Sequence, residues 1–149
     1  MKTLLVMSTF ALSTGAFAFD AAKFFQKTCT QCHTIGGGDK IGPDLAGLSK
    51  RRKVDWIVKF VNYPDGMINS DEEEKGYEKS DKVANHVYAA YSPQMMAEQE
   101  MTKAQVEAVL KYIDSQKKTP KGKIVTEFGK DGLLKKTSKY YKKLPKQFQ

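Results

Sequence analysis

Thiols and imidazoles are scarce in this chain: its 149 residues include two cysteines and two histidines. With a single possible thiol pair, a disulfide-rich scaffold is excluded. A zinc site on those cysteines needs two further ligands, and beyond the histidine next to them only His86 remains. Apolar length is short as well. The N-terminal run over residues 4–12, broken only by Ser8 and Thr9, falls short of the ~20 residues that span a bilayer. Strand-like alternation is nearly absent and nothing repeats internally. No βαβ pattern frames the cysteines as a thioredoxin-like redox pair would require.

What is there is the pentapeptide Cys29-Thr30-Gln31-Cys32-His33. The arrangement C-x-x-C-H is that of a c-type haem attachment site. Two thiols three positions apart can each form a thioether to one vinyl group. The histidine that follows is then held where its imidazole can bind the iron. Because these are the only cysteines, no second haem motif exists. The segment before the motif agrees with this reading. Lys2 precedes the short apolar run, and Ala16-Phe17-Ala18 has the A-x-A form of a signal-peptidase site. Cleavage after Ala18 is expected, giving a mature chain from Phe19 in an oxidising, extracytoplasmic space, taken as a bacterial periplasm. With no cysteine at the cleavage point, a thioether-linked lipid anchor is excluded there.

Charge divides the mature chain sharply. Residues 117–149 hold eleven lysines against Glu127 and Asp131, a local charge of +9, whereas residues 19–116 hold 13 basic and 15 acidic residues. The basicity of the protein therefore belongs to its tail. The organisation expected is a signal peptide at 1–18, one domain at 19–116 and a Lys-rich tail at 117–149. The acidic run at 71–74 reads as solvated surface.

Helical periodicity accounts for the domain. Asp20 is placed to cap a short helix through Phe24 and Phe25 that delivers Cys29. The glycines at 36–38 and Gly42-Pro43 require a loop. Val54, Ile57, Val58 and Val61 share one helical face, which Pro64 ends near Asn62 or Tyr63. Val83, Val87, Ala90 and Tyr91 share another, stopped by Pro93. Thr102 caps a last helix bearing Val106, Val109, Leu110 and Ile113. The fold class is all-α, about four helices.

With these pieces in order, residues 20–116 resemble a class I, monohaem, His/Met-ligated c-type cytochrome. The resemblance rests on Phe25 ahead of Cys29, the C-T-Q-C-H motif, Ile41-Gly42-Pro43-Asp44-Leu45, the Met95-Met96 loop and a last helix containing Tyr112. It implies a small cytochrome c fold around one covalently attached haem c. First and last helices would cross with Phe25 against Tyr112, and the Pro43 carbonyl would accept a bond from His33. The cofactor-binding set implied is Cys29, Cys32, His33, Pro43 and Met96, with His33 and Met96 on the iron. Met95 is a neighbouring alternative, because Ala97 stands where the family usually has proline. Met67, Met101, His86 and an open site are the other possibilities, Met101 reading as a packing residue. Arg51, Arg52 or Trp56 could reach a haem propionate; the alternative is that residues 51–53 are simply a solvated turn leading into the helix that follows. Val58, Val87 and Val109 would line a dry pocket.

A six-coordinate His/Met haem leaves no iron position for a substrate, so the expectation is a one-electron carrier in a periplasmic respiratory chain rather than an enzyme. Alternatives are a haem subunit of a larger periplasmic oxidoreductase, for example a sulfur-oxidising or nitrogen-oxide-reducing complex, and a haem-based catalyst or sensor with an open distal site. For the tail, three readings compete: docking to an acidic redox partner, contact with an anionic membrane surface, or a solvated, partly disordered extension with some contacts back onto the body. Nucleic acid is not expected, because an exported protein would rarely meet it.

Overall fold

The first helix, α1 (Ala21–Thr28), begins where Asp20 accepts the Lys23 amide at 2.9 Å, closing one of the donors that a helix start leaves unpaired. In this computed structural model, which describes residues 19–69 and 80–149, the chain then tightens into a 3-10 turn over Cys29–Gln31. After a long loop come α2 (Leu48–Arg51), α3 (Val54–Asn62), α4 (Pro64–Asn69), α5 (Lys82–Tyr91) and α6 (Lys103–Ser115). The expected leader and the acidic run at 71–74 lie outside the described residues. α3 ends at the expected place, but Pro64 does more than stop it. With its fixed φ and no N–H, it starts α4 at the first helical position. Thr102 and Gln105 form a reciprocal capping box at the start of α6. Among the described residues no strand is formed, and no helix is long and apolar enough to cross a membrane.

The main core lies where α1 crosses α6. It buries Phe25, Ile57, Met101, Val106, Val109, Leu110 and Ile113, with Val54, Val58 and Val61 packed against its edge. Phe25 and Tyr112 meet with ring centroids 5.5 Å apart and planes tilted by 51°, the aromatic pair that the resemblance implied. Each such side chain contributes about 1.5–3 kcal/mol on full burial. A second cluster, Met67, Ile68 and Ala84 with Trp56, Phe60, Tyr88 and Met95 around it, joins α3, α4 and α5.

A third cluster goes beyond the few contacts with the body expected of the tail. The segment 117–149 contributes Phe128, Leu134 and Leu144 to a buried group with Ala89, Ala90 and Tyr91 of α5, flanked by Ile124, Tyr140, Tyr141 and Phe148. Its short helix α7 (Lys123–Thr126) leads into a tight reversal. There Gly129 donates to Leu133 at 2.8 Å and Lys135 to Glu127 at 2.9 Å. Two 3-10 turns, Tyr141–Lys143 and Lys146–Phe148, complete it. The contacts back onto the body that one reading of the tail allowed are therefore extensive: interleaved apolar residues give the segment a core shared with α5. Lys123 is likewise no free surface charge. Its ammonium donates to the Ala90 carbonyl at 3.1 Å and lies 4.4 Å over the Tyr91 ring.

This covering also changes α5. Val83 and Val87 are only half-buried, and the deepest positions are Ala84, Asn85, His86, Ala89, Ala90 and Tyr91. The helix is covered on more than one face because tail and body both pack on it. His86, 2% exposed, accepts the Leu134 amide on Nδ1 at 2.9 Å, while Nε2 has no hydrogen-bond partner. Val87 packs with the tail cluster.

Two predictions follow from this packing. Ile113→Ala removes a fully buried side chain and is expected to cost ~2–5 kcal/mol in denaturant unfolding of the haem-loaded protein. Tail docking is also expected to depend on acid. An imidazole accepting an amide hydrogen bond on Nδ1 must be unprotonated there. Burial, aided by Lys82, keeps His86 below its ordinary 6.5, outweighing the Phe148 backbone and Asp131. Its contribution is thus complete above 6.5 and lost as pH falls through the lower, folded value. Protection of the Leu134 amide from exchange, corrected for intrinsic rate, should fall in that window and stay level in His86→Gln.

Candidate haem site

The end of α1 and the turn that follows build the attachment site. The amides of Cys32 and His33 both donate to the Cys29 carbonyl, at 3.1 and 2.9 Å, which curls the pentapeptide back on itself. Both thiols are half-buried and free of each other. Burial pushes the Cys29 thiol up to about 11, so it carries its proton at neutral pH. An S–H of this kind is what adds across a vinyl double bond to give a thioether. Among the described residues no three His, Cys, Asp or Glu side chains gather to hold a metal ion, so a zinc site finds no ligand set there.

His33 is fixed from its far side. Its Nδ1–H donates to the Pro43 carbonyl at 2.8 Å. Desolvation lowers the imidazole's affinity for a second proton, against the opposing pull of that carbonyl, so the ring is neutral at pH 7. With the proton on Nδ1, the Nε2 lone pair is the one available to a metal. The loop can approach because residue 42 is glycine. A Cβ there would lie 2.5–3.2 Å from three atoms of the His33 ring. The Gly42 amide closes the contact by donating to the Cys32 carbonyl at 2.8 Å.

Sequence reasoning missed what holds this loop. Asp44 is fully buried, and its carboxylate accepts the amides of Gly36, Gly38, Ala46 and Lys121 at 2.8, 2.9, 2.9 and 3.2 Å. Burial alone would raise its pKa, but those four amides outweigh it and hold the group ionised. The available signal was a run of glycine amides with no helix to receive them and two nearby carboxylates, Asp39 and Asp44.

The distal candidates separate by environment. Met67 is buried in the second cluster and Met95 packs against it. Met101 is buried in the main core, with its backbone bracketed by Asn62 at 2.6 and 2.7 Å, and acts as the packing residue expected. His86 faces the tail. Met96 is half-buried in the loop that Gln99 ties to the Val61 carbonyl at 3.0 Å, and it joins none of the three clusters described. The residues considered for a propionate are engaged elsewhere. Arg51 donates to the Ala46 and Asp44 carbonyls, Arg52 to those of Arg51 and Gly132, and Trp56 to the Asp81 carboxylate at 3.1 Å. The solvated-turn reading of Arg51 and Arg52 is corrected, since both are half-buried. Of the three valines expected to line a pocket, Val87 turns to the tail instead.

Two unpaired thiols on one turn, beside a neutral imidazole whose Nε2 faces away from the Pro43 bond, suit a covalently bound haem. Comparison with known proteins agrees. The pattern of the cytochrome c family matches residues 19–117. A stretch of 54 residues is 41% identical to a cytochrome c of Theileria annulata, covering 34% of this chain and 47% of that protein. The match thus spans about half the length of that curated relative. Among solved structures, a cytochrome c from Rhodothermus marinus is similar at a TM-score of 0.50 and 27% identity, over 62% of this chain and 70% of that one. A cytochrome c domain from Pseudomonas putida gives a TM-score of 0.48 at 26% identity, over 65% and 87%. With its helical fold, crossed terminal helices and C-x-x-C-H turn, the chain belongs to the cytochrome c family as a class I c-type cytochrome whose cofactor is covalently attached haem c.

Proposed function

We propose that this protein is a one-electron carrier of an extracytoplasmic respiratory chain, with His33 and Met96 as the axial ligands. The observation that carries the reading is the pairing of a His33 ring pinned through Nδ1 with a half-buried Met96 that joins none of the three buried clusters. Haem iron supplies the one-electron ferric–ferrous couple. The chain's own residues hold it in two fixed positions: Pro43 orients His33, while Asn62 and Val61 anchor the loop bearing Met96. A filled distal position leaves no place for a substrate, which favours carriage over catalysis. Export with cleavage after Ala18 is consistent with Asp20 capping α1 and Phe19 packing on Phe24 at 5.3 Å, which give the residues just past that junction a place in the domain.

The tail supports an acidic redox partner. Lys130, Lys135, Lys136, Lys139, Lys142 and Lys143 are exposed on a segment whose apolar side chains are anchored to α5. Charges on an anchored surface orient an oppositely charged partner during encounter while adding little to affinity.

The ligand assignment is tested by near-infrared spectra of the ferric protein. Met96→Ala should lose the thioether charge-transfer band and Met95→Ala should keep it; the reverse pattern would move the ligand to Met95. For the partner, the electron-transfer rate constant with an acidic redox protein should fall steeply with added salt. Lys135→Glu with Lys136→Glu should slow it by about tenfold at low ionic strength. A rate indifferent to salt would remove the acidic partner.

A further inference from the structure

The segment between α6 and α7 makes a contact that neither packing nor partner docking calls for. Lys117 leaves α6 at φ 50, a left-handed conformation uncommon for a lysine, and turns the chain across the loop behind His33. The strap 117–123 then meets that loop at backbone level in two places. The Lys121 amide donates to Asp44 at 3.2 Å and the Lys123 amide to Asp39 at 2.8 Å. The other Asp39 oxygen takes the Tyr91 hydroxyl at 2.9 Å. Burial, then the charge of Asp39 and its hydrogen bond, keeps that phenol protonated and therefore a donor. Fit is close at both ends. A Cβ on Gly36 would stand 2.5 Å from the Lys118 Cβ, and one on Gly122 would stand 2.5–2.7 Å from the Asp39 carboxylate.

The loop needs such a support. Three consecutive glycines have no conformation of their own, and freezing them is entropically costly. Asp44 fixes them by gathering amides, and a carboxylate offers about four acceptor positions. Three are taken from within the loop, by Gly36, Gly38 and Ala46; the fourth is taken by the strap. Arg51, bonded to the Asp44 carbonyl at 3.0 Å, adds opposite charge. Asp44 directly follows Pro43, whose carbonyl holds the axial imidazole.

We propose that the strap 117–123 is a proximal buttress and that Asp44 is a positioning residue for His33, the strap setting the strength of the His33–Pro43 hydrogen bond through the Asp44 carboxylate. This rests on the assignment of His33 as an iron ligand. A tighter bond makes the imidazole a stronger donor and favours ferric iron; loosening it favours ferrous iron and raises the reduction potential.

The experiment uses the full-length, haem-loaded protein. Gly122→Ala lifts the strap off Asp39 without altering a charge, and Asp44→Asn removes an acceptor in the loop itself. Gly132→Ala, whose Cβ would meet the Arg52 guanidinium at 2.1–2.5 Å, disturbs the tail beyond the strap. Reduction potential, the hyperfine-shifted His33 ring resonances and amide exchange at Gly36 and Gly38 are measured. Gly122→Ala and Asp44→Asn should raise the potential, shift the His33 signals and speed exchange at both glycines at least tenfold. Gly132→Ala should leave all three unchanged. If Gly122→Ala frees the Lys121 and Lys123 amides while potential and His33 signals stay at wild type, the buttress is overturned. If wild-type His33 shows no hyperfine shift, the ligand assignment itself fails and the buttress fails with it.

Discussion

The 2.8 Å hydrogen bond from His33 Nδ1 to the Pro43 carbonyl is the contact on which the rest of this molecule depends. It selects one tautomer of a ring that would otherwise interchange two, and so decides which nitrogen faces the iron. It also joins two stretches of chain, the pentapeptide at the end of α1 and the Gly-Pro loop, that share no secondary structure. Everything nearby serves that junction. Residue 42 is glycine because the ring lies on it, and Asp44 is buried because the glycine amides need an acceptor.

Around this junction the fold is two packing problems solved with shared elements. α1, α3 and α6 close the core of the family domain. α5 serves both sides: Ala84 joins the cluster with α4, while Ala89, Ala90 and Tyr91 are covered by the tail. A segment with eleven lysines would ordinarily stay in water. Here its interleaved Phe128, Leu134 and Leu144 bury themselves while most of the ammonium groups remain outside, which long flexible stems allow. The same fold anchors a strongly positive surface and ties the strap to the haem-attachment loop.

The sequence made the helices legible wherever local chemistry decides the outcome. Asp20 and Thr102 cap helices because their side chains reach amides three residues ahead, and Pro64 bounds α3 through its own ring. The attachment motif was legible because covalent chemistry dictates its spacing. What stayed hidden were relations between residues far apart in the chain. Asp44 with Lys121, Asp39 with Lys123 and His86 with Leu134 are separated by 77, 84 and 48 positions. Periodicity carries no information about such pairs. The face of α5 was misplaced for the same reason, since the tail's own burial was not visible in a charge count.

Covalent haem on this chain is the claim under all of this, and the intact mass of the protein after denaturation tests it most directly. The account predicts a polypeptide of residues 19–149 carrying one haem that acid and organic solvent do not remove. A bare polypeptide, or a haem released on unfolding, would contradict it.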